Sequence, residues 1–135
     1  PNAVMHATPI AQVTDLSSTI NELKSKNQLN DIVVLMFGAN SAFTKGQLER
    51  ELKRIGMEKQ IFIVTTTTSK TWRDDVNNVY EAVSEKYSNV HVLDWNEYSK
   101  DQDWFYSHKS YVTEVGAHEE ALFFAKKIYE TLRGN

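Results

Sequence analysis

The sequence predicts an α/β fold, a three-layer α/β/α sandwich built around a parallel sheet. Three observations carry that prediction. Short β-branched runs alternate with amphipathic stretches along all 135 residues. Three of the runs, "DIVVLMF" (31–37), "KQIFIVTT" (59–66) and "NVHVLDW" (89–95), are apolar almost without a break, as strands buried on both faces are. Stretches with apolar residues three and four apart stand between them. Strands separated by helices in this way imply right-handed crossovers, with helices on both faces of the sheet.

The elements follow in order. "NAVMHA" (2–7) is a short candidate strand. "TDLSSTINELKSK" (14–26) sets Leu16, Ile20 and Leu23 at helical spacing. "DIVVLMF" is then an inner strand. "TKGQLERELKRIG" (44–56) reads as a helix in which Thr44 and Gln47 can form a capping box. Leu48, Leu52 and Ile55 line one of its faces, and Gly56 ends it. "KQIFIVTT" is the next inner strand. "TWRDDVNNVYEAVSEKY" (71–87) places Trp72, Val76, Val79, Val83 and Tyr87 on one face. "NVHVLDW" is the third inner strand, with Trp95 as a lid over the core. The final helix, "GAHEEALFFAKKIYETL" (116–132), aligns Ala121, Phe124, Ala125, Ile128 and Leu132.

Bulk properties narrow the function classes. The length suits one domain, residues 1–135, and 41% hydrophobic residues suffice for a sizeable core. A net charge of −3 and no basic stripe argue against a nucleic-acid partner. Lys and Arg are interspersed with acids, as on a solvated helix face. With no cysteine, a disulfide scaffold, a thiol nucleophile and a Cys-ligated zinc are excluded. No run reaches the roughly 18–20 apolar residues that span a bilayer, so no membrane segment is expected. No signal peptide opens the chain, which begins abruptly at "PNAVMHA", as a cut inside a larger protein would. There are two prolines, no linker and no repeat, and the one low-complexity tract is "TTTTS" (65–69). GxGxxG and GxxxxGK[ST] are both absent, so no nucleotide or other cofactor is expected. His6, His91 and His118 have no partner histidine one helical turn away, so no metal site is expected either.

In sheets of this kind ligands bind beyond the carboxyl ends of the strands. Three loops stand there: "FGANSAF" (37–43), "TTTTSKTW" (65–72) and "DWNEYSKDQDWFYSHKSYVTE" (94–114). They supply the candidate site residues. Gly38, Ala39, Asn40 and Ser41 come from the first, and Thr65, Thr66, Thr67 and Trp72 from the second. Trp104, His108 and Tyr111 come from the third. Each admits a second role. Asn40 can cap its own loop, the threonines suit a strand terminus, and Trp72 fits its helix stripe. His108 can be an exposed loop residue.

The same three loops carry a resemblance to a known family. "VVLMFGANSAFT" (33–44) resembles the strand and Gly-x-Asn block of SGNH-fold hydrolases and acyltransferases. The likeness is closest to the extracytoplasmic domain of peptidoglycan O-acetyltransferases. "IFIVTTTTSKTWRDDVNNVYEAVSEKYSNVHVLDW" (61–95) resembles the next strand, helix and strand, and "DWFYSHKSYVTEVGAHEEALFFAKKI" (103–128) the last loop and helix. The resemblance implies a flavodoxin-like parallel sheet from which the family's first strand, the one ending in Gly-Asp-Ser, is missing. It implies that Asn40 is the oxyanion donor. "HATPIAQ" (6–12) stands where the family has its second oxyanion glycine. His108 and Tyr111 stand where the family has Asp-x-x-His, the acid and base of its triad.

Those substitutions bear on chemistry. A serine hydroxyl needs a neighbouring base, and the base needs an orienting group. Tyr111, with an unperturbed pKa of about 10, cannot serve as that base near neutrality. His108 has the right intrinsic pKa but not the family's position. Losing nucleophile or base costs about 10⁶ in rate, and losing one oxyanion donor about 10²–10³.

Three readings follow. The first is a degenerate SGNH-like domain of a cell-envelope acyltransferase-type protein, without catalysis, binding cell-wall glycan or protein. The second is a fragment of an active peptidoglycan O-acetyltransferase or esterase whose nucleophile segment lies elsewhere. The third is an unrelated flavodoxin-like binding module. The resemblance places the domain outside the cytoplasmic membrane, at the surface of a Gram-positive bacterium. Without the serine-bearing strand, either "NAVMHA" pairs directly with "DIVVLMF", or a second copy covers the open edge in a homodimer.

Overall fold

The computed structural model describes residues 15–37, 42–107 and 111–134. Eight elements lie within them: α1 (Asp15–Ser25), β1 (Ile32–Leu35), α2 (Lys45–Ile55), β2 (Gln60–Val64), α3 (Arg73–Lys86), β3 (Val90–Leu93), α4 (Trp95–Ser99) and α5 (Glu114–Arg133). The candidate strand 2–7 falls outside the described residues, as do Gly38, Ala39, Asn40, Ser41 and His108.

The strands form a parallel sheet in the order β1-β2-β3. Val33 is in register with Ile61, Leu35 with Ile63, Ile61 with Val90 and Val64 with Leu93. Alternation along each strand feeds two cores. Leu35, Ile61, Ile63 and Val90 point to the face covered by α1, α2 and α3, where they meet Leu16, Ile20, Leu48, Leu52, Ile55, Val76, Tyr80 and Val83. Phe62, Val64 and Leu93 point to the other face, where they meet Trp95 and Phe123. The fold is thus α/β, with helices on both faces of a parallel sheet.

Local chemistry sets the helix ends as expected. Thr44 Oγ1 accepts from the Gln47 amide at 3.1 Å, and the Gln47 side chain accepts from the Thr44 amide at 2.9 Å. The capping box predicted at that position is therefore present. Gly56 closes α2 at a φ of 123°, a conformation that favours glycine, while its amide bonds Leu52 carbonyl. Glu49 of α2 accepts from Lys86 at 2.7 Å and from the Tyr87 hydroxyl, tying α2 to the end of α3. Those two bonds hold its carboxyl below the ordinary range.

Four expectations are corrected. β2 is buried on both faces, but β1 is not: Ile32 and Val34 are 41% exposed and Met36 is 56% exposed. Val34 is in register with Phe62, so these side chains point to the α5 side. There the apolar cover gathers over β2 and β3, and among the described residues it stops short of β1. β1 and β3 are accordingly the outer strands of the described sheet, and only β2 is an inner one.

The stripe of α5 is rotated from the expected one. Gly116 and Phe123 are buried and Phe124 and Ile128 are partly buried, whereas Ala121, Ala125 and Leu132 are exposed. The helix is apolar over more than one face, so periodicity could not choose between them. The expected face of α3 is present, with Tyr80 added to it: Val76, Tyr80 and Val83 are buried, and Trp72, Val79 and Tyr87 pack on the same core. Trp72 precedes the first turn as its N-cap, and Tyr87 follows the last as its C-cap. Trp95 is no lid. It opens a short helix, α4, and is 1% exposed at the centre of the second core.

Candidate functional site

The carboxyl ends of β2 and β3 run into Thr65–Thr68 and Asp94–Asn96, and these two segments are bonded to each other. The Thr65 amide donates to Leu93 carbonyl at 3.0 Å. The Thr65 hydroxyl donates to Asp94 Oδ1 at 3.1 Å and accepts from the Asn96 amide at 2.8 Å. Asp94 Oδ1 also accepts from the Glu97 amide at 3.2 Å, which caps α4. One threonine thus starts α4 in a fixed direction.

Thr66 is held differently. Asn77 Oδ1 accepts from its amide at 2.8 Å, and Asn77 Nδ2 donates to its carbonyl at 3.2 Å. The side-chain amide of α3 acts as a strand partner for a peptide group that has run off the sheet. Thr65 and Thr66 are 3% and 5% exposed, and Thr67 is half-buried.

Between α3 and α4, beside Thr65, lies a polar cleft of about 190 Å³. Asn77, Asn96, Glu81 and Asp94 line it with Thr65. Partial burial raises the pKa of Glu81, and the nearby charges of Asp94 and Glu85 add to that. The cleft is therefore rich in acceptors and electronegative. It suits hydroxyl or ammonium donors and repels anions. Among the described residues no group of His, Cys, Asp and Glu side chains comes together as a metal site.

The third loop closes as a small antiparallel hairpin. Phe105 bridges Val112, the Thr113 amide donates to Trp104 carbonyl at 2.7 Å, and the Tyr106 amide donates to Tyr111 carbonyl at 3.0 Å. Thr113 then caps α5, its hydroxyl accepting from the Gly116 amide at 3.2 Å. Gly116 is required by contact: a Cβ there would stand 2.2 Å from Trp104 carbonyl oxygen. The hairpin leaves Tyr111 69% exposed beside Tyr106, itself 63% exposed.

The tryptophans do not form one platform. Trp104 stacks on Trp95 at 5.6 Å between ring centroids and 8° between planes, so one of its faces is taken. Trp72 packs on the first core, on the opposite side of the sheet, with Lys70 over its ring at 6.0 Å. His91 lies along β3, its ring over Phe62 and its Nε2 2.8 Å from Gln60 Oε1.

The structure therefore brings Thr65 together with Asp94 and Asn96, sets Trp104 on Trp95, and pairs Tyr111 with Tyr106. Sequence reasoning missed Asn77, Glu81, Asp94 and Asn96. The signal for Asn77 was present: it lies next to Val76 and three residues before Tyr80, on the inward half of α3.

No family model matches the chain. Relatives do match it. It is 28% identical over 107 residues, 79% of its own length, to "Putative peptidoglycan O-acetyltransferase YrhL" of Bacillus subtilis. It is 29% identical over 121 residues, 89% of its length, to "O-acetyltransferase OatA" of Staphylococcus aureus. Over 91 residues, 67% of its length, it is 33% identical to "Putative O-acetyltransferase SAS0844" of the same species. The chain spans 16%, 19% and 14% of those three proteins. Taken with the α/β fold and the three strand-end loops, these similarities make the chain a homologue of a short segment of O-acetyltransferases, and over most of its own length.

Proposed function

We propose that the chain is a degenerate SGNH-like domain of a cell-envelope acyltransferase-type protein, acting outside the cytoplasmic membrane in binding rather than catalysis. The observation that carries this reading is the state of the third loop. Tyr111, which the resemblance sets at the position of the family's base, is a phenol standing in solvent on a hairpin. The side chains of Asp94 and Thr65 are engaged with each other and with the start of α4.

The ligand that suits the strand ends is a glycan or a polar segment of protein. The cleft beside Thr65 offers carboxylate and amide acceptors to hydroxyl groups. Peptidoglycan is named for the relative from Bacillus subtilis. Asn40, Gly38, Ala39, Ser41 and His108 complete the candidate set. The cleft, Trp104 and Thr67 are its described part.

A serine-reactive phosphonate tests the catalytic half. The isolated chain is expected to stay unlabelled. Stoichiometric labelling of Ser41, Ser69, Ser107 or Ser110 overturns the reading and favours an active enzyme. Titration with soluble peptidoglycan fragments tests the other half, with amide shifts expected at Thr65, Asn96 and Glu81. Shifts confined to Tyr106 and Tyr111 would move the site to the hairpin.

A further inference from the structure

α5 carries two apolar faces. One packs on the sheet through Gly116, Phe123, Phe124 and Ile128. The other is turned to solvent. On it Val115 is 63% exposed, Leu122 54%, Tyr129 61% and Leu132 41%. His118 and Ala125, which fall between them, are exposed as well. At about 100° per residue the second face is centred nearly opposite the first.

The exposed residues are spaced as a helix seam. From Val115 to Leu132 the steps are three, four, three, four and three. That alternation keeps one line of a helix against a second helix. Apolar residues scattered singly over a surface need no partner. Four large ones on one line of a 20-residue helix make a stripe about 25 Å long.

The charges beside the stripe say what it faces and in which direction. On its solvent side α5 is acidic early, with Glu114 and Glu119, and basic late, with Lys126 and Arg133. Glu130 stands against that trend but is paired with Lys127 of its own helix at 3.7 Å. A second α5 running the opposite way sets acid over base at both ends and opposes the two helix dipoles. A second α5 running the same way sets like charge over like.

The register follows from the seam. About a two-fold axis Leu122 meets Ala125 of the second copy, His118 meets Tyr129, and Val115 meets Leu132, each contact being made twice. In each of these layers a larger side chain faces a smaller one or a ring faces a ring. The same register brings Glu119 beside Lys126 of the second copy, again twice. Within one copy Glu119 and Lys126 stand seven residues apart, two turns of the helix. We propose that two copies of this chain associate through the exposed face of α5, antiparallel, with Leu122 and Ala125 at the two-fold axis.

Sedimentation equilibrium of the 135-residue chain tests this. One helix pair is a small interface, so the dimer is expected to form between about 10 μM and 1 mM. Leu122→Glu should leave only monomer at about 1 mM, because it sets a charge at the centre of the seam. Glu119→Lys and Lys126→Glu should each raise the dissociation constant about tenfold, because each creates two like-charge pairs. The double variant should return it to within about threefold of the starting value, since the pairs are restored with their signs exchanged. All three residues lie outside the two cores, so each variant should keep the far-UV circular dichroism of the dilute chain. A chain that stays monomeric throughout overturns the proposal. So does a dimer that Leu122→Glu leaves intact, which would place the interface elsewhere. Failure of the double variant to recover overturns the antiparallel register. A monomer whose Leu122 and Tyr129 amides shift on adding soluble peptidoglycan fragments also overturns it, and gives the face to the glycan.

Discussion

The hydroxyl of Tyr80, in α3, donates to the carbonyl of Phe37, just beyond β1, over 2.8 Å. Phe43, six residues after Phe37, packs on both partners, 5.2 Å from Phe37 and 5.7 Å from Tyr80 between ring centroids. Three aromatic rings thus hold the two ends of residues 38–42 together. Burial pushes the Tyr80 phenol far above its ordinary pKa, so it remains a donor across the accessible pH range.

Tyr80→Phe should cost about 1–3 kcal/mol, because it removes the hydroxyl that the Phe37 carbonyl bonds and replaces it with nothing. A urea titration reads this as a lower midpoint at unchanged slope. A loss below about 0.5 kcal/mol would show that water replaces the hydroxyl there.

Gly116→Ala should destabilise the chain by about 1–3 kcal/mol or more, since its Cβ would meet Trp104 carbonyl oxygen at 2.2 Å and Trp104 Cβ at 2.8 Å. Backbone cannot step aside as a flexible side chain can. Thermal unfolding checks it, with Ala117→Gly as the control for helix propensity.

Glu120 gives the chain a pH dependence of defined sign. Its Oε2 is buried without a hydrogen-bond partner among the described residues, and burial pushes the carboxyl up to about 7 from 4.5. The folded state therefore holds the proton more tightly than the unfolded one. Its contribution is complete below about pH 4.5 and is lost as pH rises through about 7. Stability should decline across that window in the intact chain, and Glu120→Gln should flatten the decline. Parallel profiles for the two proteins would exclude Glu120 as the source.

The two faces of the sheet should respond differently to substitution. Ile63→Ala, at a fully buried position of β2, should cost about 2–5 kcal/mol. Val34→Thr, on the exposed side of β1, should stay within about 1 kcal/mol. Equal losses at both sites would mean that β1 is covered on that side in solution.

That contrast also shows what the sequence could and could not reveal. "DIVVLMF" and "KQIFIVTT" read alike because both are runs of apolar residues, and the parallel strands they form are both present. Which one is central depends on what packs from a distance, and composition does not encode it. Thr44 and Gln47 were legible because a capping box is complete within four residues. α5 was legible as a helix but not in its rotation, because Phe123, Phe124, Leu122 and Ile128 leave its polar face narrow. The polar cleft was the least legible feature. Asn77 and Glu81 come from α3 and Asp94 from the turn after β3, and only the course of β3 into α4 brings them together.

The Trp95–Trp104 stack has an optical consequence. Two indoles 5.6 Å apart and 8° from parallel are close enough for their electronic transitions to mix. Trp72, the third tryptophan, reports from the other side of the sheet. Each helical layer thus carries its own chromophore, and light distinguishes them without any label. If both layers melt together, circular dichroism of the indole pair and fluorescence of a chain reduced to Trp72 trace one curve. If one layer loosens first, the curves separate, and the order of separation names the weaker side.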